Sequence, residues 1–291
     1  MNNLSDRVKG ILFITLSAFG FAVMSAFVKL AGDLPAFQKT FFRNLVSCVI
    51  ALIFIIKNKE SFFGKKENQR LLILRSTLGT IGIILNYYSI DKLILSDANM
   101  LNKLSPFFVI IFSAMFINEK INLRQIISII IAFIGVLFII KPSFNIDIFP
   151  FIIGVLGAVF AAGAYTCLRV LGNKEKHYTI VFYFSLFSLI VIFPFMILVY
   201  KPMSMLQLTY LLMAGVFASI GQFGITLAYK YAPAKEISIF DYSNIIFSAM
   251  ISFIIFGVLP DILSFIGYGI IFTASFYMFI YNKKLDKAQK L

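Results

Sequence analysis

Charge is what this chain has too little of. Asp, Glu, Lys and Arg make up 13% of its 291 residues, about half the share with which a soluble domain covers its surface. A chain so poor in charge cannot wrap a water-facing globule, so most of its exterior must face lipid. Histidine occurs once and cysteine twice. Cys48 and Cys167 lie inside apolar runs without CxxC or Cys/His spacing, so neither a zinc site nor a disulfide framework is supported, and no metal or cofactor is expected. Tryptophan is absent, while Ile, Phe, Lys and Asn are heavily used, a composition that suits an AT-rich bacterial genome.

Catalytic and nucleotide-binding motifs are also missing. No GxSxG or HExxH occurs, and His177 sits in a polar connector beside Lys176, where it is expected to be solvated. Phe63-Gly-Lys-Lys66 lacks the upstream glycine and the Ser/Thr of a P-loop, which disfavours ATP-driven work by this chain alone. An intramembrane enzyme needs a nucleophile with a base, a carboxylate pair or metal ligands. Asp97 and Asp241 are the nearest approach to a dyad, but they belong to opposite leaflets in the topology derived below. The chain is not expected to be an enzyme.

What is present is apolar sequence in membrane-spanning lengths. Hydrophobic residues make up 60% of the chain, and the mean hydropathy is +0.93. A helix crosses the hydrocarbon core with about 20 apolar residues, its backbone hydrogen-bonded within itself. Ten such spans are predicted, near 9–31, 35–56, 70–90, 94–117, 122–140, 149–171, 178–200, 206–229, 234–257 and 262–281. The first run is longer than the apolar region of a signal peptide and lacks a small-x-small cleavage site, so it is read as a retained helix. Basic residues fall mainly in the connectors. With the N-terminus inside, seventeen lie on the cytoplasmic side, clustered around 57–70, 174–176 and 283–290. Five (Lys29, Lys39, Lys92, Lys141 and Lys201) lie opposite. This bias explains the formal charge of +13 as a topology signal rather than nucleic-acid binding, and it predicts two cytoplasmic termini.

The spans repeat. Lys29-Leu-Ala-Gly-Asp33 matches Arg169-Val-Leu-Gly-Asn173, and Leu78-Gly-Thr-Ile-Gly82 matches Ile220-Gly-Gln-Phe-Gly224. Phe112-Ser-Ala-Met115 returns as Phe247-Ser-Ala-Met250. Two units are predicted, 1–145 and 146–291. An odd five spans per unit inverts the second relative to the first, the architecture of many secondary transporters. Gly79/Gly82 and Gly221/Gly224 are read chiefly as close-packing positions.

Polar residues inside spans mark the candidate site, because an ionisable group at that depth needs a partner or a role. In span four, Asn99, Asn102, Lys103 and Pro106 share a helical face by their spacing. Pro106 frees a carbonyl near Asn102. Span nine offers Asp241 and Asn244 on one face, extended by Ser248. Lys103 and Asp241 are expected near one central cavity, either as a pair that substrate or proton breaks or as a static structural pair. Arg43 and Asn44 are read as cavity-facing, Arg75 as snorkelling to the cytoplasmic surface. Gln222 and Tyr87 complete the candidate substrate-binding set, while Tyr165 and the other tyrosines are individually weak signals. Intramembrane cations (Arg43, Arg75, Lys103, Arg169) outnumber the carboxylates Asp97 and Asp241, which favours a substrate with a negative group.

Leu95-Ser-Asp-Ala-Asn-Met-Leu-Asn-Lys-Leu-Ser-Pro-Phe-Phe-Val109, with Asn118-Glu119-Lys120 and Phe42-Arg43-Asn44, resembles the EamA repeat of the drug/metabolite transporter superfamily. The resemblance runs across the whole chain as two tandem units. The second departs from it at Phe256-Gly257-Val258-Leu259-Pro260-Asp261, where the usual Gly-Glu ending is replaced. It implies an all-α integral membrane protein of ten transmembrane helices, two inverted five-helix repeats around a central cavity. The implied activity is secondary active transport of a small metabolite (an amino acid, organic anion or related zwitterion) across the bacterial inner membrane. A larger nucleoside- or vitamin-like solute, such as S-adenosylmethionine or riboflavin, is the alternative. The partners expected are the small-molecule substrate, coupled protons and the lipid bilayer, without nucleic acid.

Overall fold

The structure is a computed structural model that describes residues 6–117, 122–140, 147–171, 174–231 and 238–288. The Asn118-Glu119-Lys120 signature lies outside the described residues, as do the side chains of Arg169 and Tyr229. The described chain is helical throughout: α1 (Asp6–Leu30), α2 (Ala36–Asn58), a 3-10 turn (Lys66–Asn68), α3 (Gln69–Lys92), α4 (Leu95–Asn102), α5 (Ser105–Ile117) and α6 (Leu123–Ile140) in the first half. The second half holds α7 (Phe149–Leu171), α8 (His177–Leu198), α9 (Met205–Tyr231), a 3-10 turn (Ser238–Tyr242), α10 (Ser243–Phe256) and α11 (Ile262–Ala288). Among the described residues nine helical stretches are long and apolar enough to cross a bilayer, and the shorter Phe240–Phe256 stretch supplies a tenth apolar helix.

Two crossings are broken where the sequence predicts continuous helices. The first break falls between α4 and α5. Pro106 has no N–H, so the helical ladder cannot run through it. The turn tightens instead, with Lys103 N bonded to Met100 O at 3.0 Å and Leu104 N to Leu101 O at 3.1 Å. The second break is the 3-10 turn ahead of α10, which carries Asp241. Equivalent crossings of the two halves are thus interrupted at their polar segments.

The halves pack as a two-fold exchange between them requires. α1 lies along α9 as α7 lies along α3; α2 meets α8, and α6 meets α11. The relation extends to single bonds at the helix ends. Gln38, at the start of α2, donates to Lys201 O at 2.9 Å ahead of α9, and Thr179, at the start of α8, donates to Ser61 O at 2.5 Å ahead of α3. In the repeat, Thr179 follows Gln38 as Lys201 follows Ser61, so one contact is made twice, at opposite ends of the bundle.

Without water to drive helices together, van der Waals fit must do so. A Cβ on Gly82 would sit 3.1 Å from Ala161 N and 3.3 Å from Gly157 O, and one on Gly224 would meet Ser17 Cβ at 3.0 Å. The glycine pairs are therefore helix-contact positions, one in each half. Outside them, Ile53, Ile130, Phe253 and Ile254 face outward as a lipid-contacting surface.

The divergent end of the second unit has its own solution. Gly257 closes α10 in the left-handed conformation (φ 65°), with its N–H on Phe253 O and Val258 N–H on Ser252 O. Asp261 then caps α11, its Oδ1 accepting Ser264 N–H at 2.8 Å. Nothing lies within 4 Å of a Cβ built on Gly257, so Gly257→Ala carries only the backbone penalty, about 1–2 kcal/mol. A modest fall in melting temperature in detergent is expected; a rise would contradict the left-handed cap.

Candidate functional site

The two helix breaks meet. Lys103 Nζ and Asp241 Oδ2 are 2.5 Å apart, with 12% and 19% of their side chains exposed. Tyr242 ties the breaks together, donating to Lys103 O at 3.2 Å, a carbonyl available because α4 stops there. Tyr242 is anchored in turn by Ser275 of α11. Asp241 Oδ1 is buried without a hydrogen-bond partner.

Around the pair, amides hold the crossing elements in register. Asn99 Nδ2 donates to Ser248 Oγ at 2.8 Å, and its Oδ1 accepts from Ser25 at 3.2 Å, joining α4 to α10 and α1. Asn244 donates to Ala18 O at 2.8 Å. Asp97 accepts from the Tyr268 hydroxyl at 2.6 Å. Asn102 is half-buried and makes no side-chain hydrogen bond among the described residues. The predicted single face of span four does not hold: the break separates Asn99 and Asn102 from the α5 residues, and Pro106 is exposed where Asn99 is buried. Gln222 is half-buried on α9, beside the Gly221 contact with Phe21 of α1.

A second group lies on α2 and α3. Arg43 is 2% exposed and bonds the side chain of its neighbour Asn44, which donates to Ser188 at 2.6 Å. The Tyr87 hydroxyl lies beside the Arg43 guanidinium and contacts Met24 Sδ at 3.5 Å. Arg75 does not snorkel. It is 5% exposed, its guanidinium lies 3.8 Å from the centre of the Phe184 ring, and Arg43, Tyr165 and Cys167 are its electrostatic neighbours. The side chain turns inward because α8 offers an aromatic face there. Tyr165 joins the two groups, with Asp241, Arg75 and Arg43 around it. It is 37% exposed, yet it follows the fully buried Ala158 and Ala162 on one stripe of α7. Its exposed surface therefore opens into the interior of the bundle.

One feature escaped the sequence reading. Lys39, counted there as a flanking charge, is fully buried and pairs with Asp91 at 2.5 Å. Lys29 binds Leu93 O beside it. The signal was available: Lys39 falls four residues after Pro35, already inside a helix, and α3 runs two residues past its predicted end to Lys92. The buried Cys48 and Cys167 are free, and among the described residues no His, Cys, Asp and Glu group could hold a metal.

The profile of the EamA-like transporter family matches residues 8–141 and 148–280, one copy on each half. This chain belongs to the EamA-like transporter family. Among curated proteins, it is 32% identical over 268 residues to the pseudopaline exporter CntI of Pseudomonas aeruginosa, covering 91% of this chain and 94% of that protein. It is 27% identical to human solute carrier family 35 member G1, covering 86% and 73%. A solved crystal structure superposes with a TM-score of 0.66 at 12% identity, covering 95% of this chain and 98% of the other, which shows the shared fold. An EamA-like transporter is a multi-pass membrane protein.

Proposed function

We propose that this transporter is a secondary carrier of a small metabolite, an amino acid, organic anion or related zwitterion, working by alternating access across a bacterial inner membrane with both termini cytoplasmic. The observation that carries this reading is the Lys103–Asp241 pair, set where two broken helices of opposite halves meet. Broken crossings expose backbone and charge at membrane depth only where they serve a site. A proton on Asp241 would release Lys103, which couples the pair to a gradient. The related pseudopaline exporter makes export of a metabolite the direction to examine first. In proteoliposomes, flux of the transported solute is expected to saturate; flux linear in concentration would mean a channel instead.

The Lys39–Asp91 pair serves as a closure on the side opposite the termini, with Lys29 and the Gln38–Lys201 bonds beside it. Asp91→Asn leaves the Lys39 ammonium buried against an amide, which favours opening there. Ser89→Cys, fully buried against Gly154 of α7 near the same end of α3 as Asp91, is expected to react faster with a membrane-impermeant maleimide in the Asp91→Asn background, with Cys48 and Cys167 replaced by Ala. Equal rates with and without the substitution would remove the pair from the closure.

A further inference from the structure

Hydrogen-bond donors without acceptors lie along α3 and on α2. Arg43 Nε, Arg75 Nε and Nη1, and Asn86 Nδ2 are buried and unbonded, as are the hydroxyls of Ser76 and Thr80 on α3. Among the described residues neither arginine forms an ion pair, and the two guanidinium groups are close enough to repel each other. Arginine stays charged at neutral pH, so burial does not neutralise it. Two desolvated cations without a counter-ion weaken a fold, and such residues persist in membranes where they meet a solute. Both lie within electrostatic range of Tyr165, as does Asp241, whose Oδ1 is likewise buried and unbonded.

We propose that Arg43 and Arg75 form an oxyanion-binding pole of the transport site, with Asp241 Oδ1 as the opposite pole for an amine. The inference rests on the carrier reading and names its cargo class: a zwitterion in which oxyanion groups (carboxylate or phosphate) outnumber amines. The planar fork of arginine binds either oxyanion through two parallel N–H groups. With Lys103 already paired to Asp241, the two arginines still outnumber the remaining site carboxylate, Asp97, so the cargo brings the missing negative charge.

The test is thermal stability of the full chain in detergent with three probes: glutamate, O-phosphoserine and putrescine. Glutamate, O-phosphoserine or both are expected to raise the melting temperature, and which of them does so identifies the oxyanion; putrescine is expected to have no effect. Arg75→Met is expected to melt at or above the wild-type temperature without probe, since it removes an unpaired buried charge, and to lose the oxyanion response. A purely structural arginine would give the reverse. Should Arg75→Met fail to fold, Arg75→Lys keeps the charge without the fork and is expected to weaken the response about tenfold. Stabilisation by putrescine alone, an oxyanion response unchanged in the arginine variants, or none in the wild type would overturn the pole. Saturable flux of putrescine in proteoliposomes would do so while leaving the carrier reading intact.

Discussion

Asp241→Asn and Lys103→Met are each expected to abolish transport and to lower the melting temperature, while Lys103→Met/Asp241→Leu recovers the melting temperature but not transport. The two groups are 2.5 Å apart and less than one-fifth exposed. Removing one partner leaves the other charged and largely desolvated, a loss of about 3–5 kcal/mol. Replacing both by apolar side chains of similar size removes the desolvation along with the attraction, so stability returns. The chemistry does not return, because neither apolar residue can exchange its partner for a substrate or a proton. Melting temperature and proteoliposome flux, measured on all three variants, separate the roles. A double variant that transports at the wild-type rate would show that the pair only holds the helix breaks together.

The second large effect is mechanical. Gly267→Ala places a Cβ 2.6 Å from Gly135 O and 2.8 Å from Ile139 Cγ1, where α11 crosses α6. The first obstacle is backbone and cannot rotate away, so the helices must separate. Overpacking of this kind costs about 1–3 kcal/mol, and Gly267→Val costs more. Gly269, two residues on, has nothing within 4 Å of its Cβ position. Gly269→Ala is thus the control, expected to melt at or slightly above the wild type because alanine is the better helix former. Equal melting temperatures for Gly267→Ala and Gly269→Ala would contradict the close crossing.

The membrane class and the number of crossings were legible because hydropathy reports directly on the solvent each segment meets. The family followed from the Asn99–Pro106 stretch and its echo in the second half. The meeting of Lys103 and Asp241 was legible in part: the repeat put them in related places, and ionisable groups at depth draw partners. Three features were not. The turn of Arg75 toward Phe184 depends on which residue of α8 stands opposite, which no spacing within α3 encodes. Tyr165 was one weak tyrosine among several until its stripe proved to be the buried one. Charge-bias counting assigns every basic residue near a span end, Lys39 among them, to the nearest connector, whereas Asp91, from another helix, draws Lys39 inside.

The carrier mechanism itself is tested most directly by counterflow. Proteoliposomes are loaded with an excess of unlabelled solute, and entry of labelled solute is followed without any other gradient. An alternating-access carrier returns from each transport step with solute bound, so labelled solute is expected to accumulate transiently above its external concentration, and Lys103→Met/Asp241→Leu is expected to show no overshoot. Entry that only approaches equilibrium, at a rate indifferent to the internal load, would contradict the account.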